Sequence, residues 1–173
     1  MHRHRFFYMF MRGGSLMKVS FDLDETLLID PGEIPAEDKL KFPYYLIYKE
    51  RLRKGTVELI KWLQEEGIEV WIYTTSFRSQ RYIRRLFKCY GLSLDEVING
   101  KRHKEEVQGT KNEPMPSKYP SRYRIDLHID DDISVAQNGK LYGFNVYVIR
   151  RDDQKWHKNI MYEVNKIKRR QSL

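Results

Sequence analysis

Short apolar runs alternate along the chain with longer stretches in which apolar residues recur every three or four positions. The short runs predict β-strands, and they lie at residues 17–21, 68–73, 94–98, 125–129 and 145–149. The longer stretches predict helices, and they lie at residues 56–66, 77–90, 133–137 and in a final segment that places Trp156, Ile160, Val164 and Ile167 on one stripe. Because strands and helices alternate, we expect an α/β fold, a Rossmann-like parallel sheet with helices on both faces.

Capping residues set the expected ends of these helices. Thr56 is placed to cap the first long helix, which we expect to stop at Gly67. Thr75 and Ser76 follow the second strand directly, and we expect them to cap the helix of residues 77–90.

Two segments lack a regular pattern. Residues 29–54 contain four helix-breaking residues and an aromatic, basic run, which is too irregular for one helix. Residues 100–124 are polar and contain three prolines, which predicts a loop with at most short helices. Neither is long enough to form an independent domain, so we expect residues 17–173 to form one domain. Residues 1–16 look like a leader without a catalytic role.

Composition narrows the class of protein. The chain has 173 residues, 40% of them hydrophobic, which suffices for a single buried core. One cysteine, Cys89, rules out an intrachain disulfide framework and favours a reducing compartment. No stretch approaches the roughly 20 apolar residues of a membrane helix, so we expect a soluble, cytoplasmic protein without a membrane partner. The net charge of +8 favours anionic partners in general.

Two carboxylates stand where the first apolar run ends. Asp22 and Asp24 are two residues apart and point to the same side of an extended backbone, with Thr26 one step further. Acidic residues at this position often only cap the next helix. Carboxylates at the end of a buried strand otherwise serve to hold a cation or to do chemistry.

The order Asp-x-Asp-x-Thr after a strand resembles the first motif of the haloacid dehalogenase (HAD)-type phosphohydrolases. The resemblance implies that Asp22 is a nucleophile and that Asp24 is the general acid/base. Residues 70–74, Val-Trp-Ile-Tyr-Thr, resemble the second motif, which implies that Thr74 binds phosphoryl oxygens. Residues 125–131 resemble the fourth, acidic motif, which binds magnesium.

These acidic clusters are expected at the carboxyl ends of parallel strands, where such sheets bind ligands. Carboxylates that converge there repel one another, and a hard divalent cation removes that penalty, so we expect Mg²⁺ as the cofactor. Its candidate ligands are Asp22, Asp24, Asp130 and Asp131. Within the triple acid we favour Asp131 as the direct ligand, Asp130 as a supporting acid and Asp132 as a helix N-cap.

The family's third motif supplies a lysine that neutralises the nucleophile and the phosphoryl group. The candidates are Lys101, Lys104, Lys111 and Lys118, with Arg102 as an outsider. We favour Lys118 over Lys104, because Tyr119 and Pro120 can fix its backbone and because it lies nearest the 125–129 strand. Its ammonium is then expected within about 4 Å of the Asp22 carboxylate, the range of an ion pair.

The resemblance is to capless members of the family, including the carboxy-terminal-domain phosphatase-like and magnesium-dependent phosphatase branch, because neither irregular segment is long enough for the cap domain of larger members. It implies that residues 29–54 form a flap over the site, whose aromatics either pack onto the sheet or contact substrate. It implies a phosphomonoester hydrolase that forms an aspartyl-phosphate on a phosphorylated small molecule or macromolecule. A polynucleotide-end phosphatase is an alternative, based on the basic helix of residues 77–90, the basic tail of residues 166–170 and exposed aromatics. A non-catalytic phosphate-binding or partner-binding module is a third possibility. We expect His128 to be a packed residue or one that supports the site.

Overall fold

A parallel sheet forms the centre of the protein, which is described over residues 16–171 in a computed structural model. Its strands are β1 (Lys18–Phe21), β4 (Glu69–Tyr73), β5 (Glu96–Ile98), β6 (Leu127–Asp130) and β7 (Val146–Val148). The order across this sheet is β5-β4-β1-β6-β7, and each neighbouring pair is parallel. A separate antiparallel pair consists of β2 (Leu28–Ile29) and β3 (Arg51–Leu52). The expected parallel α/β sheet is confirmed.

Helices connect the strands on both sides of the sheet. They are α1 (Tyr44–Ile47), α2 (Thr56–Glu65), α3 (Gln80–Cys89), α4 (Gly100–His103), α5 (Ile133–Tyr142) and α6 (Trp156–Gln171). A π-helical turn, Lys104–Gln108, and a 3₁₀ turn, Pro120–Tyr123, lie in the segment between α4 and β6. The prediction of short helices within residues 100–124 is confirmed.

The main core lies on one face of the sheet, where strand residues of alternating positions meet α2, α3 and α6. On β1 these are Val19 and Phe21, which are fully buried, while Ser20 between them points to the opposite face. The last helix contributes Trp156, Ile160 and Val164, so the expected apolar stripe is confirmed. A smaller cluster on the other face comprises Tyr73, Ile98 and Ile125, with Trp71 and Tyr123 packed against it.

Three expected helix boundaries are wrong for local reasons. Gly55 caps α2 with a φ of 92°, and Thr56 instead donates its hydroxyl to the Arg53 carbonyl at 2.7 Å. The helix expected from residue 77 begins at Gln80, because the Ser79 hydroxyl accepts the Tyr82 backbone N–H at 3.2 Å. The helix expected over residues 133–137 continues to Tyr142 and ends at Gly143, whose φ is 70°.

The flap, residues 29–54, folds as irregular chain around the β2–β3 pair and the single turn of α1. Within residues 16–171 the sheet and its helices leave no segment that forms a second, cap-like domain. In that same range no helix is long and apolar enough to cross a membrane. The leader prediction concerns residues of which 1–15 lie outside the described part of the chain.

Candidate active site

Asp22 stands at the carboxyl end of the central strand, directly after β1. Its backbone N–H donates to the Ile129 carbonyl at 2.8 Å, which holds it beside the end of β6. Only 7% of Asp22 is exposed. The chain then turns sharply through Glu25, which adopts a left-handed backbone conformation with a φ of 59°. This turn brings Thr26 back against the site.

Lys118 reaches this carboxylate from the loop before β6. Its Nζ lies 2.7 Å from Asp22 Oδ1 and 2.5 Å from Asp130 Oδ2, and the residue is 5% exposed. The neighbours that made Lys118 the favoured lysine do fix its backbone. The Tyr119 N–H donates to the Tyr73 hydroxyl at 2.8 Å, and Pro120 is buried at the start of the 3₁₀ turn. The expected ion pair is present, while the catalytic role of Lys118 stays a prediction.

The other candidate cations of this segment lie elsewhere. Lys101 is exposed and lies 3.9 Å from Glu105, and Lys111 donates to the Val107 carbonyl at 3.1 Å. Lys104 is exposed. Arg102 pairs with Glu96 and Glu106. Lys118 is therefore the candidate of this set that the fold brings to Asp22.

Asp130 is held from two further directions. His128 Nε2 lies 2.9 Å from Asp130 Oδ2, and His128 Nδ1 lies 2.8 Å from the Ser20 hydroxyl. The Asp132 backbone N–H donates to Asp130 Oδ1 at 3.0 Å. His128 is thus a buried residue that orients an acid of the site. Burial lowers the pKa of His128, so its neutral form is favoured.

One lysine facing two buried carboxylates cannot neutralise both. Burial raises the pKa of Asp22 from 3.8 to about 6, and repulsion from Asp130 adds to this against the attraction of Lys118. Burial acts in the same direction on Asp130, but the hydrogen bond with His128 and the charge of Lys118 lower the pKa of Asp130 to about 2. Burial would lower the pKa of Lys118, and the two carboxylates raise it. Asp22 is therefore the carboxylate left short of positive charge.

Three carboxylates offer an all-oxygen cation site. Single oxygens of Asp22, Asp130 and Asp131 all lie within 4.8 Å of one another. Asp131 is exposed, and its Oδ1 accepts the Thr26 hydroxyl at 2.7 Å. A hard divalent ion such as Mg²⁺ prefers such ligands. Asp22 Oδ1 is buried and accepts no hydrogen bond of normal geometry from the described residues. Its contact with Lys118 is an ion pair. The residues present fit a cation.

Asp132 and Asp24 lie apart from this group. Asp132 caps α5, accepting the Ser134 N–H at 2.7 Å, as expected from the sequence. The Asp24 side chain is 48% exposed and pairs with Arg78, whose Nη1 lies 2.8 Å from Oδ1 and 2.9 Å from Oδ2. The carboxylate of Asp24 thus stands at the rim, in contact with an arginine and not with the three other candidate ligands.

Arg78 is a site residue that sequence reasoning missed. It lies within the basic segment of residues 77–90, but it precedes α3 and its guanidinium contacts Asp24. Its Nη1 also donates to the Ser76 hydroxyl at 2.8 Å, and its Nε lies 3.4 Å from Glu50 of the flap. The available signal was position, because Arg78 lies four residues after Thr74 in the loop that follows β4.

Thr74 directly follows β4, the strand that pairs with β1. Its N–H donates to the Ile98 carbonyl at 2.9 Å, and the residue is 1% exposed. The hydroxyl oxygen accepts the Ser76 N–H at 3.1 Å. This hydrogen bond restrains the Thr74 side chain. Thr74 thus lies at the end of β4, where the second motif is expected.

Several solved structures resemble this chain in fold. A HAD-superfamily hydrolase of subfamily IA from Geobacter sulfurreducens PCA aligns with a TM-score of 0.50 and 12% identity, over 78% of this chain and 89% of that one. A hydrolase from Streptococcus pneumoniae TIGR4 aligns with a TM-score of 0.53 and 15% identity, over 88% and 100%. A predicted HAD-like family hydrolase from Porphyromonas gingivalis gives 0.50 and 13%, over 87% and 98%.

These likenesses show that the chain has the HAD-like fold, in agreement with the fold implied by its motifs. No family model matches the sequence, and no curated protein matches it.

Proposed function

We propose that this protein is a magnesium-dependent phosphomonoester hydrolase that acts through an aspartyl-phosphate on Asp22. The observation that carries the proposal is the position of Lys118 between Asp22 and Asp130, beside the exposed carboxylate of Asp131. The proposed nucleophile, the lysine paired with it and the candidate oxygen ligands thus lie close together at the carboxyl end of the sheet. The HAD-like fold supports the assignment by analogy.

The reaction is proposed to proceed in two balanced steps. A carboxylate oxygen of Asp22 attacks phosphorus, the bond to the ester oxygen breaks, and the leaving oxygen takes a proton from Asp24. Water then attacks the aspartyl-phosphate, gives a proton to Asp24, and inorganic phosphate departs as the bond to Asp22 breaks. The alcohol and inorganic phosphate are the products, Asp22 is again a free carboxylate, and Asp24 again carries the proton that it gave to the leaving oxygen.

The chain's own cations and donors serve the charge that develops on the phosphoryl group. Lys118 holds Asp22 in line and stabilises negative charge beside it. Thr74 donates its hydroxyl to a phosphoryl oxygen. Asp22, Asp130 and Asp131 would hold Mg²⁺, with Asp24 as a further candidate ligand, and the bound ion would neutralise phosphoryl oxygens.

The remaining expectations belong to the same proposal. Residues 17–173 form one catalytic domain of the capless type, and its substrate is a phosphorylated small molecule or the phosphorylated end of a macromolecule. A cytoplasmic location stays a prediction from the single cysteine, Cys89.

A substrate screen with one matched pair of variants tests the function. Sugar phosphates, nucleotides, phosphopeptides and 3′-phosphorylated oligonucleotides are incubated with Mg²⁺ or with EDTA, and released phosphate is measured. We expect Mg²⁺-dependent turnover by the wild type and none by Asp22→Asn, which keeps the shape of the side chain and removes the attacking charge. Asp38→Asn, at an exposed aspartate of the flap, serves as the control.

The intermediate has its own test. Acid-quenched wild-type protein should carry one phosphoryl group at Asp22 in a peptide mass spectrum, and the group should be removable with hydroxylamine. Turnover by Asp22→Asn would refute the covalent mechanism. The absence of turnover on every ester, with phosphate binding retained, would favour the non-catalytic module.

A further inference from the structure

An uncompensated row of cations runs along α3. Arg81, Arg85 and Lys88 occupy positions i, i+4 and i+7 and therefore share one face of the helix, spread over about 10 Å. All three are exposed, and their charged groups make no ion pair or hydrogen bond with the rest of residues 16–171. We call them the cationic stripe. By contrast, Arg84 of the same helix donates to the Leu94 carbonyl and forms an ion pair with Glu96.

The flap lies beside the stripe and adds apolar rings. A groove of about 430 Å³ lies between the α1 region and α3. It is lined on the α1 side by Tyr44, Ile47 and Tyr48, and on the α3 side by Arg85 and Lys88. Phe42 and Tyr44 remain 73% and 47% exposed. Leu46 and Ile47 of the same segment are also exposed, and contiguous exposed apolar patches often mark binding surfaces.

Neither side of this groove supplies a negative charge. Residues 39–49 and 80–89 contain no aspartate or glutamate, whereas the first of these segments adds three lysines. Two acids, Asp38 and Glu50, border the first segment, and neither lines the groove. Glu50 pairs with Arg78 and accepts the Tyr82 hydroxyl. The surface is therefore complementary to a ligand that is anionic along its length and also has flat apolar groups.

Contacts connect this groove to the candidate active site. Tyr48, which lines the groove, packs on Tyr82 with ring centroids 5.2 Å apart. The Tyr82 hydroxyl donates a hydrogen bond to Glu50. Glu50 in turn forms an ion pair with Arg78, which also pairs with Asp24. A polymer lying in the groove would thus lead toward the rim of the site.

From this juxtaposition we propose that the surface binds single-stranded nucleic acid and that the substrate is its terminal phosphomonoester. The cationic stripe contacts backbone phosphates, and Phe42 and Tyr44 stack on unpaired bases. A single strand fits better than a duplex, because bases in a duplex do not expose their faces. The inference rests on the proposed hydrolase function for the end chemistry, but not for binding.

Binding is measured with the full chain carrying Asp22→Asn, so that the probe is not consumed. The probes are a fluorescent 12-nucleotide single strand with a 3′-phosphate, with a 5′-phosphate or with neither, and the corresponding duplex. We expect salt-dependent binding of the single strands and weaker binding of the duplex. The phosphorylated end that the site accepts should bind more tightly than the unphosphorylated strand.

Charge variants locate the surface. Arg81→Gln/Arg85→Gln/Lys88→Gln should reduce the slope of log affinity against log salt by about 2, since each phosphate contact on a single strand contributes about 0.7. The matched control, Lys155→Gln/Arg169→Gln/Arg170→Gln, removes the same charge from the last helix and the turn before it. It should leave the slope nearly unchanged. A loss confined to the control would move the interface to the basic tail and overturn the proposal.

Ring variants distinguish a nucleic acid from a lipid surface. Phe42→Leu keeps an apolar side chain but removes the stacking face, and should weaken single-strand binding about tenfold. Leu46→Ala removes an exposed aliphatic side chain and should leave it unchanged. Binding to anionic phosphatidylserine vesicles that needs Leu46, without binding to oligonucleotides, would overturn the proposal.

Hydrolysis of p-nitrophenyl phosphate separates the two claims. Because the stripe lies outside the proposed catalytic residues, its triple variant should hydrolyse this small ester at the wild-type rate and lose activity on the oligonucleotide end. An enzyme active on the small ester that binds no oligonucleotide refutes this inference alone. Salt-dependent strand binding without hydrolysis of any ester supports the surface and refutes the hydrolase.

Discussion

Arg78 reaches from the loop after β4 to Asp24, and its Nη1 lies 2.8 Å and 2.9 Å from the two carboxylate oxygens. The same guanidinium contacts Ser76 and Glu50, so one side chain links the proposed general acid to the flap. Because both partners are partly exposed, the pair contributes little to stability. Its main effect is to hold the Asp24 carboxylate in position at the rim of the site.

We therefore expect Arg78→Ala to affect catalysis in a way that depends on the leaving group. With glycerol phosphate, whose leaving oxygen needs a proton, kcat should fall about 100-fold, since a misplaced general acid forfeits much of its effect. With p-nitrophenyl phosphate, which needs no proton, the loss should stay below about fivefold. Equal losses on both esters would show that Arg78 binds the phosphoryl group instead. The free energy of unfolding should change by less than about 1 kcal/mol.

Removing the buried lysine should harm both stability and activity. Lys118→Met leaves Asp22 and Asp130 buried without their cation, so the free energy of unfolding in EDTA should fall by about 3 to 5 kcal/mol at pH 7. Mg²⁺ should restore part of that loss, as measured by urea denaturation. Lys104→Met, at an exposed lysine of the same segment, is the matched control. A loss of activity in the Lys104 variant with an active Lys118 variant would reverse the assignment.

Adjacent acids at the end of β6 should respond differently to the same change. Asp131→Ala should abolish activity and weaken Mg²⁺ binding, because Asp131 supplies an exposed oxygen of the candidate cation site. Asp132→Ala removes the cap of α5 and should cost about 1 kcal/mol of stability while activity is largely kept. Isothermal titration with Mg²⁺ and thermal denaturation separate the two effects. If they came out reversed, the ligand would be Asp132.

The raised pKa of Asp22 predicts a pH dependence of the metal-free protein. Between pH 4 and pH 6 the folded state keeps the Asp22 proton that the unfolded state has lost, so stability from this group falls as the pH rises through that window. The loss should reach about 1 to 3 kcal/mol in EDTA. Above pH 4 Asp130 stays ionised in the folded state and adds little slope.

Two controls accompany the pH series. Asp22→Asn lacks the titrating group, so the difference between wild type and variant isolates its contribution in urea denaturation. Mg²⁺ replaces the proton, and its apparent affinity should therefore rise with pH up to about 6. An equal slope in wild type and variant would show that another group is responsible.

Local pattern was enough for the sheet and for the acids at its edge. Strands such as β1 and β4 are short, apolar runs bounded by polar residues. A run of this length and composition is typical of a strand that is buried on both faces of a parallel sheet. Asp22, Asp130 and Asp131 could be placed together because parallel strands bring their carboxyl ends to one edge. Lys118 could be chosen because Tyr119 and Pro120 restrain the backbone at that point.

Helix starts were less predictable, since several hydroxyl residues compete for each cap. Ser79 caps α3 although Thr75 and Ser76 come first in the chain, and the Ser76 hydroxyl instead accepts hydrogen bonds from the Arg78 backbone and side chain. Gly55 rather than Thr56 begins α2, since the backbone there turns through a positive φ.

The chain's sequence by itself determined the order of strands and helices and the acidic strand ends, because these follow from local periodicity and the geometry of a parallel sheet. Lys118 was singled out by its neighbours and by the resemblance to the family's third motif. Only the tertiary structure decided how charge is shared among them. Lys118 pairs with both Asp22 and Asp130, and His128 contacts Asp130. Arg78 pairs with Asp24, which lies apart from the other acids. Such pairings join residues up to about a hundred positions apart, and they depend on side-chain directions that no local pattern specifies.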